Sequence, residues 1–410
     1  MARIPRFHRL AWVRAGDSAV GLKELTAGRL RGIDALRGVA ALTVVVHHFL
    51  IANPVFIDST HLNDMAWLKV TPLHFFWAGR EAVVLFFILS GFVLSIPWWD
   101  GRRPATGAFF VRRFFRIYPA YLIAVLAAAA GDVLLSKHGL AGMSEWFNSV
   151  WVRPLDATTL VSHLLLILPF DPQPLDPVLW SLSHEMRISL LFPFLMWFVM
   201  RYDWRFVIGV LVPLSWFGGL FMAGSWVSSL EFVLMFAVGA LLARERVRIA
   251  AFVRGISSFR LLTVILLAVP VYTLYLWLPV PPKLWYSSSL DDWSVCLASL
   301  VLIAAALGAY ERLPRLMEVL GTALGKISYS LYLIHAVVLI SLIYLLAGVM
   351  PVVVRELLAL PVVFAVAALM YVAVERPGIA LGARMARLLP KRRPPAPRVR
   401  LEPQTVAPAR

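Results

Sequence analysis

The sequence has a single cysteine, Cys296, which excludes an intrachain disulfide and a cysteine-based metal cluster. Charged residues are also scarce, at 15% of the 410 residues, whereas hydrophobic residues make up 60% and the mean hydropathy is +0.78. A soluble protein of this length cannot bury so much apolar surface. These shortages exclude a soluble enzyme, a secreted disulfide scaffold and a disordered protein, and they indicate a polytopic membrane protein.

Ten apolar stretches approach the length of about 20 residues that a helix needs to cross the hydrocarbon of a bilayer. They are residues 33–51, 75–96, 114–134, 184–200, 206–223, 228–243, 261–279, 293–310, 327–348 and 355–374. An eleventh stretch, 158–170, is shorter and contains His163 and Pro169. The sequence therefore predicts an all-α fold, a membrane bundle of about ten transmembrane helices.

Acidic residues are few, at 23 against 39 Lys and Arg, and the net charge is +16. The basic residues are concentrated in 1–32, 97–116, 201–205, 244–260, 311–326 and from Arg376 onwards. These segments alternate with loops that are poor in Lys and Arg only if 158–170 does not cross the membrane. Since cytoplasmic loops collect positive charge, both termini are predicted in the cytoplasm, with a short re-entrant or interfacial helix near 158–170. The positive charge then needs no nucleic-acid partner.

This topology divides the chain into three parts. Residues 1–32 form a basic cytoplasmic segment, and 33–376 form the transmembrane domain. Residues 377–410 are rich in Pro and Arg, which predicts a disordered cytoplasmic tail that lies on anionic lipid.

Ionisable residues inside membrane spans are costly, so each one is a candidate for function. Arg37 and His48 are eleven residues apart in the first span and therefore share one helix face, about 16 Å apart along the axis. One face thus carries a cation at one end and a proton acceptor at the other. A snorkelling arginine and a structural histidine remain the alternative.

Three further groups of polar residues lie near the beginnings of predicted spans. Arg113 and Arg116 are three residues apart and share a helix surface, where guanidinium groups can bind phosphate or simply anchor the span in the membrane. Glu185 begins the fourth span on the predicted external side, where it can orient a histidine base. Ser328, Tyr332 and His335 form a polar face at the ninth span. No His-x-x-x-His or Cys-x-x-Cys spacing occurs, so no metal is expected.

Taken in order, these segments resemble the acyltransferase-3 family of bacterial membrane acyltransferases, which includes the O-antigen acetylases. The resemblance covers about residues 31–378 and rests on six motifs. They are Arg-x10-His (37–48), Phe-Phe-x-x-Ser-Gly-Phe (86–92), Arg-x-x-Arg (113–116), Trp-Ser-Leu-x-x-Glu (180–185), Gly-Lys-Ile-Ser-Tyr-Ser-Leu-Tyr-Leu-Ile-His (325–335) and Glu-Arg-Pro (375–377). The chain departs from many members at 83–85, where it is apolar instead of acidic, and at 186–188.

The resemblance implies transfer of an acyl group, usually acetyl, from cytoplasmic acyl-CoA to a hydroxyl group. The acceptor would be a cell-surface polysaccharide or a related molecule, and the site the cytoplasmic membrane of a bacterium. Acyl-CoA would be a co-substrate, with no permanently bound cofactor. The essential Arg and His of the family correspond to Arg37 and His48, and its Arg-x-x-Arg corresponds to Arg113 and Arg116.

His48 is accordingly expected to act as general base or transient acyl carrier, oriented by Glu185, with Arg37 as a further catalytic residue. The CoA phosphates are expected on Arg37, Arg113 and Arg116. Residues expected to bind substrate are Trp180, Ser183, Tyr329, Tyr332 and His335. A glycan or lipid transporter without acyl chemistry is the alternative, although no matching halves are evident in the sequence.

Overall fold

The computed structural model describes residues 30–54, 71–135, 139–152, 155–221, 225–274 and 289–390. Within these ranges the regular elements are all helical, and no β-strand is present. The α-helices are α1 (Arg31–Ala52), α2 (Gly79–Trp99), α3 (Thr106–Leu135), α4 (Ala157–Leu164), α5 (Leu179–Arg201), α6 (Trp204–Gly219), α7 (Ser229–Arg254), α8 (Ser258–Tyr272), α9 (Leu290–Gly308), α10 (Arg315–Leu345), α11 (Val352–Met370) and α12 (Arg376–Leu388). The predicted basic segment 1–32 lies almost wholly outside the described residues.

Within the described residues, each of the ten predicted spans overlaps one α-helix, which confirms the all-α fold. Among the described residues, six helical segments are long and apolar enough to cross a membrane, namely α1, α2, α3, α9, α10 and the continuous Val352–Leu388. Helices α6 and α8 are apolar but shorter, with 16 and 15 residues. Ten crossings with both termini in the cytoplasm stay a prediction.

The doubtful stretch 158–170 contains only the short helix α4. Its eight residues rise about 12 Å, less than half the thickness of the hydrocarbon. Asp156 caps its first turn by accepting a hydrogen bond from the Thr159 amide. The backbone after Leu164 is irregular until α5 begins, so this stretch supplies no membrane-spanning helix.

Helices α1 and α10 form the most extensive helix pair of the bundle. Glycine allows their close approach, because a Cβ added to Gly38 would lie 2.6 Å from the Gly325 backbone nitrogen. Gly38 lies against Gly325, and ten residues later His48 lies against His335, also ten residues later in α10. The two helices therefore run in the same direction. In the predicted topology seven spans separate α1 from α10, and an odd number of intervening crossings makes the two helices parallel. An additional crossing by α4 would make them antiparallel.

Helix α2 occupies the centre of the bundle. Gly91 packs on the backbone of Phe236 in α7, and Gly239 of α7 packs on the backbone of Ile88. Gly91 therefore lies on the face of α2 that packs against α7. At the start of the helix, Arg80 donates a 2.8 Å hydrogen bond to buried Asp292 of α9, which fixes α9 beside α2.

The predicted disordered tail needs a correction at its beginning. Residues Arg376–Leu388 form helix α12, which continues α11 through the π-helical turn Tyr371–Glu375. Gly378 and Gly382 pack against Phe115 of α3, so α12 is held to the bundle by contacts that a Pro/Arg-rich composition does not reveal. Residues 391–410 lie outside the described ranges, and the disorder predicted for them is untested.

Replacing Gly325 by alanine tests the α1–α10 contact. The added methyl would meet the Asp34 backbone and push the helices apart, so we expect a loss of about 1–3 kcal/mol in stability. The readout is the melting temperature of the purified protein. Gly209→Ala is the control, because nothing lies within 4 Å of its added Cβ and alanine favours the helix. Equal losses in both variants would contradict the close contact.

Candidate active site

A narrow cavity lies between α1, α2, α5 and α10, and we call it the Arg37 cavity. Its polar wall consists of Arg37, Ser90, Ser181, Glu185, Ser328, Tyr329 and Tyr332, and its apolar wall of Val83, Phe86, Phe87 and Leu182. Helical spacing of three, four or seven residues brings these positions to the inner face of each helix. The volume is about 30 Å³, which is the space of about one water molecule.

Glu185 lies on this cavity and forms an ion pair with Arg113 of α3. It also accepts a 2.9 Å hydrogen bond from the Ser90 hydroxyl, and Arg113 Nε donates to Ser189 Oγ at 2.8 Å. The carboxylate is therefore engaged at the level of Arg37. Its described partners are Arg113 and Ser90, whereas His48 contacts Val44 and His335, so the structure does not bring Glu185 to His48. Sequence alone does not show how far α5 is shifted along α1.

Arg116 forms a second ion pair inside the bundle, with Glu375 at the end of the π-helical turn. Glu375 is 2% exposed and also accepts a 2.6 Å hydrogen bond from Ser330. The Arg116 guanidinium lies over the Tyr329 ring, 5.1 Å from its centre. The arginine partner of Glu375 is thus a residue that was expected to bind phosphate.

The charges of Arg113 and Arg116 are consequently satisfied by carboxylates, which weakens the expectation that they bind the CoA phosphates. Arg37 differs from them. Glu185, Asp34, Arg113 and Arg116 are close enough to influence its charge, yet among the described residues none forms an ion pair or hydrogen bond with it. The Arg37 guanidinium is the cation of this group that is available to a ligand in the cavity.

His48 lies near the opposite end of α1, where it meets His335 of α10. The His48 Nδ1 atom is 2.9 Å from the Val44 carbonyl oxygen and 3.1 Å from His335 Nε2. The two rings are 4.9 Å apart, and Trp146 lies 5.2 Å from the His48 ring on another side. The neighbouring His47 faces elsewhere, with its Nδ1 3.0 Å from the Trp77 carbonyl oxygen.

The carbonyl groups fix which ring nitrogens carry protons, because a carbonyl oxygen only accepts. His335 Nδ1 is 3.1 Å from the Leu331 carbonyl oxygen, so its proton is on Nδ1 and Nε2 has a lone pair. His48 Nδ1 must then be the donor, shared between the Val44 carbonyl and His335 Nε2. This arrangement leaves the lone pair of His48 on Nε2, the nitrogen that can accept a proton from a substrate.

The residues expected to bind substrate fall into two groups. Tyr332 lines the cavity, hydrogen-bonds Ser181 at 2.7 Å and lies 6.0 Å from the His335 ring, and Tyr329 also lines the cavity. Trp180 instead packs between Phe87, His184 and Phe232, and Ser183 donates to the Trp180 carbonyl. Neither Trp180 nor Ser183 is part of the cavity wall, since both lie on other faces of α5 than Ser181 and Glu185.

Sequence reasoning missed two residues near this site, because both lie in loops without periodicity. Trp146 belongs to the loop 139–152, which is fastened to α1 by a 2.6 Å hydrogen bond from Ser144 to the Ile51 carbonyl. Asp176 precedes α5, and its burial raises the pKa of its carboxyl group to about 7. In the sequence, Trp146 is marked only as an aromatic residue in a predicted external loop, and Asp176 only as an acidic residue before the Trp-Ser-Leu motif.

Breaking the Arg113–Glu185 ion pair should destabilise the bundle, because an arginine would remain inside it without its carboxylate. We expect Glu185→Gln to reduce stability by about 3 kcal/mol, measured by thermal unfolding in detergent. Adding Arg113→Gln should recover most of the loss. The partly exposed Glu245 supplies the control, since Glu245→Gln should cost less than about 1 kcal/mol. A double variant no more stable than Glu185→Gln would refute the pairing.

Among the curated proteins, a segment of 171 residues is 34% identical to "Acyltransferase MdmB" of Streptomyces mycarofaciens, covering 40% of this chain and 38% of that protein. "Protein 2 in picA locus" of Rhizobium radiobacter is 30% identical, over 39% of this chain and 78% of that protein. "Nodulation protein 10" of Rhizobium leguminosarum bv. viciae is 24% identical, over 51% of this chain and 53% of that protein. The matches to the first and third relatives thus span only about half of those proteins or less.

No solved structure gives a significant match. The family model described as "Acyltransferase domain" matches residues 30–373. This range includes every residue that lines the Arg37 cavity and ends two residues before Glu375. The match extends over most of the chain and over all the helices from α1 to α11. The chain therefore belongs to the acyltransferase-3 family of membrane acyltransferases.

Proposed function

We propose that this protein transfers a short acyl group from cytoplasmic acyl-CoA to a hydroxyl group of a cell-surface glycan or a related acceptor. The observation that carries the proposal is a continuous column of polar side chains inside a chain of this family. It runs from Arg37 through Tyr332 and His335 to His48. We place the protein in the cytoplasmic membrane of a bacterium, with the Arg37 end towards the cytoplasm.

The Arg37 end suits an anionic donor. Its guanidinium faces the cavity without a carboxylate partner among the described residues, and it is available to phosphate or carbonyl oxygen. The cavity is only about 30 Å³ in volume, so the acyl arm enters only as side chains rotate aside. A small acyl group such as acetyl fits this space best, because each extra methylene in a tight pocket costs about 1–3 kcal/mol.

The His48 end suits the chemistry of transfer. His48 Nε2 takes the proton of the acceptor hydroxyl, and the oxygen attacks the thioester carbonyl carbon. The carbon–sulfur bond breaks, and the proton passes from His48 to the departing CoA sulfur, so that an ester and free CoA are formed. Alternatively, Nε2 itself attacks the thioester carbonyl carbon, the carbon–sulfur bond breaks and CoA leaves as a thiolate, so that the acyl group rests on His48. The acceptor hydroxyl then attacks this acyl group, His48 is released, and the hydroxyl proton goes to the CoA thiolate. Both routes use the same nitrogen.

The acceptor side is defined by Trp146, whose ring lies 5.2 Å from the His48 ring. An indole ring can pack against the apolar face of a sugar while its N–H bonds a hydroxyl group. The loop that holds Trp146 is predicted to lie outside the membrane. This arrangement supports a carbohydrate acceptor that reaches His48 from the external side.

A transporter without acyl chemistry fits these observations less well. Transport requires a passage that opens to each side, whereas His48, His335 and Tyr332 converge with defined hydrogen bonds on one narrow column. These side chains instead suit catalysis, with His48 as the general base and His335 as the acceptor of its Nδ1 proton. Family membership further favours acyl transfer.

Acetyl-CoA turnover by the purified protein tests the proposal, with pooled glycans as acceptors and slow hydrolysis counted as turnover. His48→Ala should lower kcat at least 100-fold or so, as for loss of a general base, while binding of CoA is retained. His47→Ala is the matched control and should keep most of the activity, because that ring faces the Trp77 carbonyl. Full activity of His48→Ala would rule out the proposed role.

His335 should support His48 as an acceptor for its Nδ1 proton. We expect His335→Phe to lower kcat about 10-fold or more with little change in KM for acetyl-CoA, because His48 loses one of two acceptors. His335→Gln should restore much of the rate, since its amide oxygen can take the place of Nε2. Equal losses in both variants, or a loss confined to KM, would show that His335 acts by packing or substrate binding.

A further inference from the structure

A second cavity, of about 380 Å³, lies where the C-terminal ends of α2 and α5 meet the N-terminal end of α3. This volume is within the range of about 300–1,000 Å³ that is typical of ligand pockets. Its wall includes Trp98, Arg103, Thr106, Trp197, Met200 and Arg201. We call it the Arg103 pocket. The loops that contribute Arg103 and Arg201 are both predicted to face the cytoplasm.

Two cations face this pocket without an acidic partner. Arg103 donates a hydrogen bond to the Met200 sulfur at 3.5 Å, and the Arg201 guanidinium lies 5.7 Å from the centre of the Tyr202 ring. Within the described ranges neither arginine forms an ion pair, and the wall of the pocket contains no Asp or Glu. The pocket is therefore electropositive and offers two guanidinium forks to phosphate oxygens.

Aromatic surface completes the pocket. Trp98 is buried against Phe109 and Phe192, whereas Trp197 is 53% exposed beside the cavity. An exposed indole beside two guanidinium groups suits a ligand that combines phosphate with a flat ring, because bases stack on aromatic side chains. A simple phosphate ion would leave the aromatic wall unused.

The position of the pocket relates it to the Arg37 cavity. Trp98 follows Ser90 by eight residues in α2, and Pro193 follows Glu185 by eight residues in α5, so the two sites are separated by about 12 Å along both helices. The pantetheine arm of CoA, when extended, can span such a distance. Arg113 and Arg116, the residues first expected to hold the phosphates, are already paired with Glu185 and Glu375.

We propose that the Arg103 pocket binds the nucleotide end of the acyl donor, with Arg103 and Arg201 on its phosphates and Trp197 against its adenine. This inference rests on the proposed function for the identity of the donor. The pantetheine arm then runs along α2 and α5 into the Arg37 cavity, towards its Tyr332 end, which is the end nearer His335 and His48. Arg113 and Arg116 hold the helices around this route and leave phosphate binding to the pocket.

The test compares acetyl-CoA with acetylpantetheine, which has the thioester and the arm but no nucleotide. In the full chain, Arg103→Ala with Arg201→Ala should raise Kd for CoA and KM for acetyl-CoA at least tenfold. Turnover of acetylpantetheine should stay at the wild-type level, since it makes no contact with the pocket. Trp197→Ala should weaken CoA binding several-fold, and Trp197→Phe should largely restore it.

Arg205→Ala is the matched control, because Arg205 stacks on Trp204 and does not line the pocket. It should leave Kd for CoA unchanged. A double variant that binds CoA as tightly as the wild type would overturn the proposal, as would an equal loss with acetylpantetheine. A wild type that binds CoA through the pocket but turns over neither donor would contradict the proposed function alone.

A lipid phosphate could occupy the same pocket, and vesicles separate the two sources. Activity and CoA binding are measured in vesicles of phosphatidylcholine with and without phosphatidylglycerol. The proposal expects the defect of the double variant in both compositions. A defect that occurs only with phosphatidylglycerol, with Kd for CoA unchanged, would identify a lipid headgroup site and refute nucleotide binding.

Discussion

The pairing of Arg113 with Glu185 inside the bundle is the interaction on which the rest of the site depends. An isolated charge at this depth is costly, so each ion must be matched by another or by hydrogen bonds. Glu185 meets this need with Arg113 and Ser90, and Glu375 does so with Arg116 and Ser330. Once these charges are satisfied, Arg37 remains as the cation that faces the cavity, and this end of the site carries a positive charge.

The parallel packing of α1 and α10 provides the other end. Because both helices run in the same direction with a constant offset, a small-residue contact at Gly38 and Gly325 sets the register three turns away, where His335 meets His48. The carbonyls of Val44 and Leu331 then fix the proton positions of both rings. The packing of α1 on α10 thus determines which nitrogen of His48 is able to accept a proton.

Sequence predicted most of the fold, because apolar length and loop charge are local properties that the bilayer imposes directly. It also predicted that Arg37 and His48 share a face, since one helix fixes that geometry. It did not predict that Glu185 pairs with Arg113 or that His335 meets His48, because these contacts depend on vertical shifts between helices distant in sequence. Trp146 and helix α12 were missed for a related reason: loop packing and π-helical continuation leave no periodic signal.

The central claim is that donor and acceptor meet at opposite ends of one polar column. The most direct measurement uses oriented proteoliposomes, with labelled acetyl-CoA on the side of the Arg37 end and a glycan acceptor sealed on the side of the His48 end. We predict labelled ester on the acceptor in its own compartment, with free CoA appearing on the donor side. Acylation confined to acceptors placed on the same side as acetyl-CoA would contradict the column as a route across the membrane.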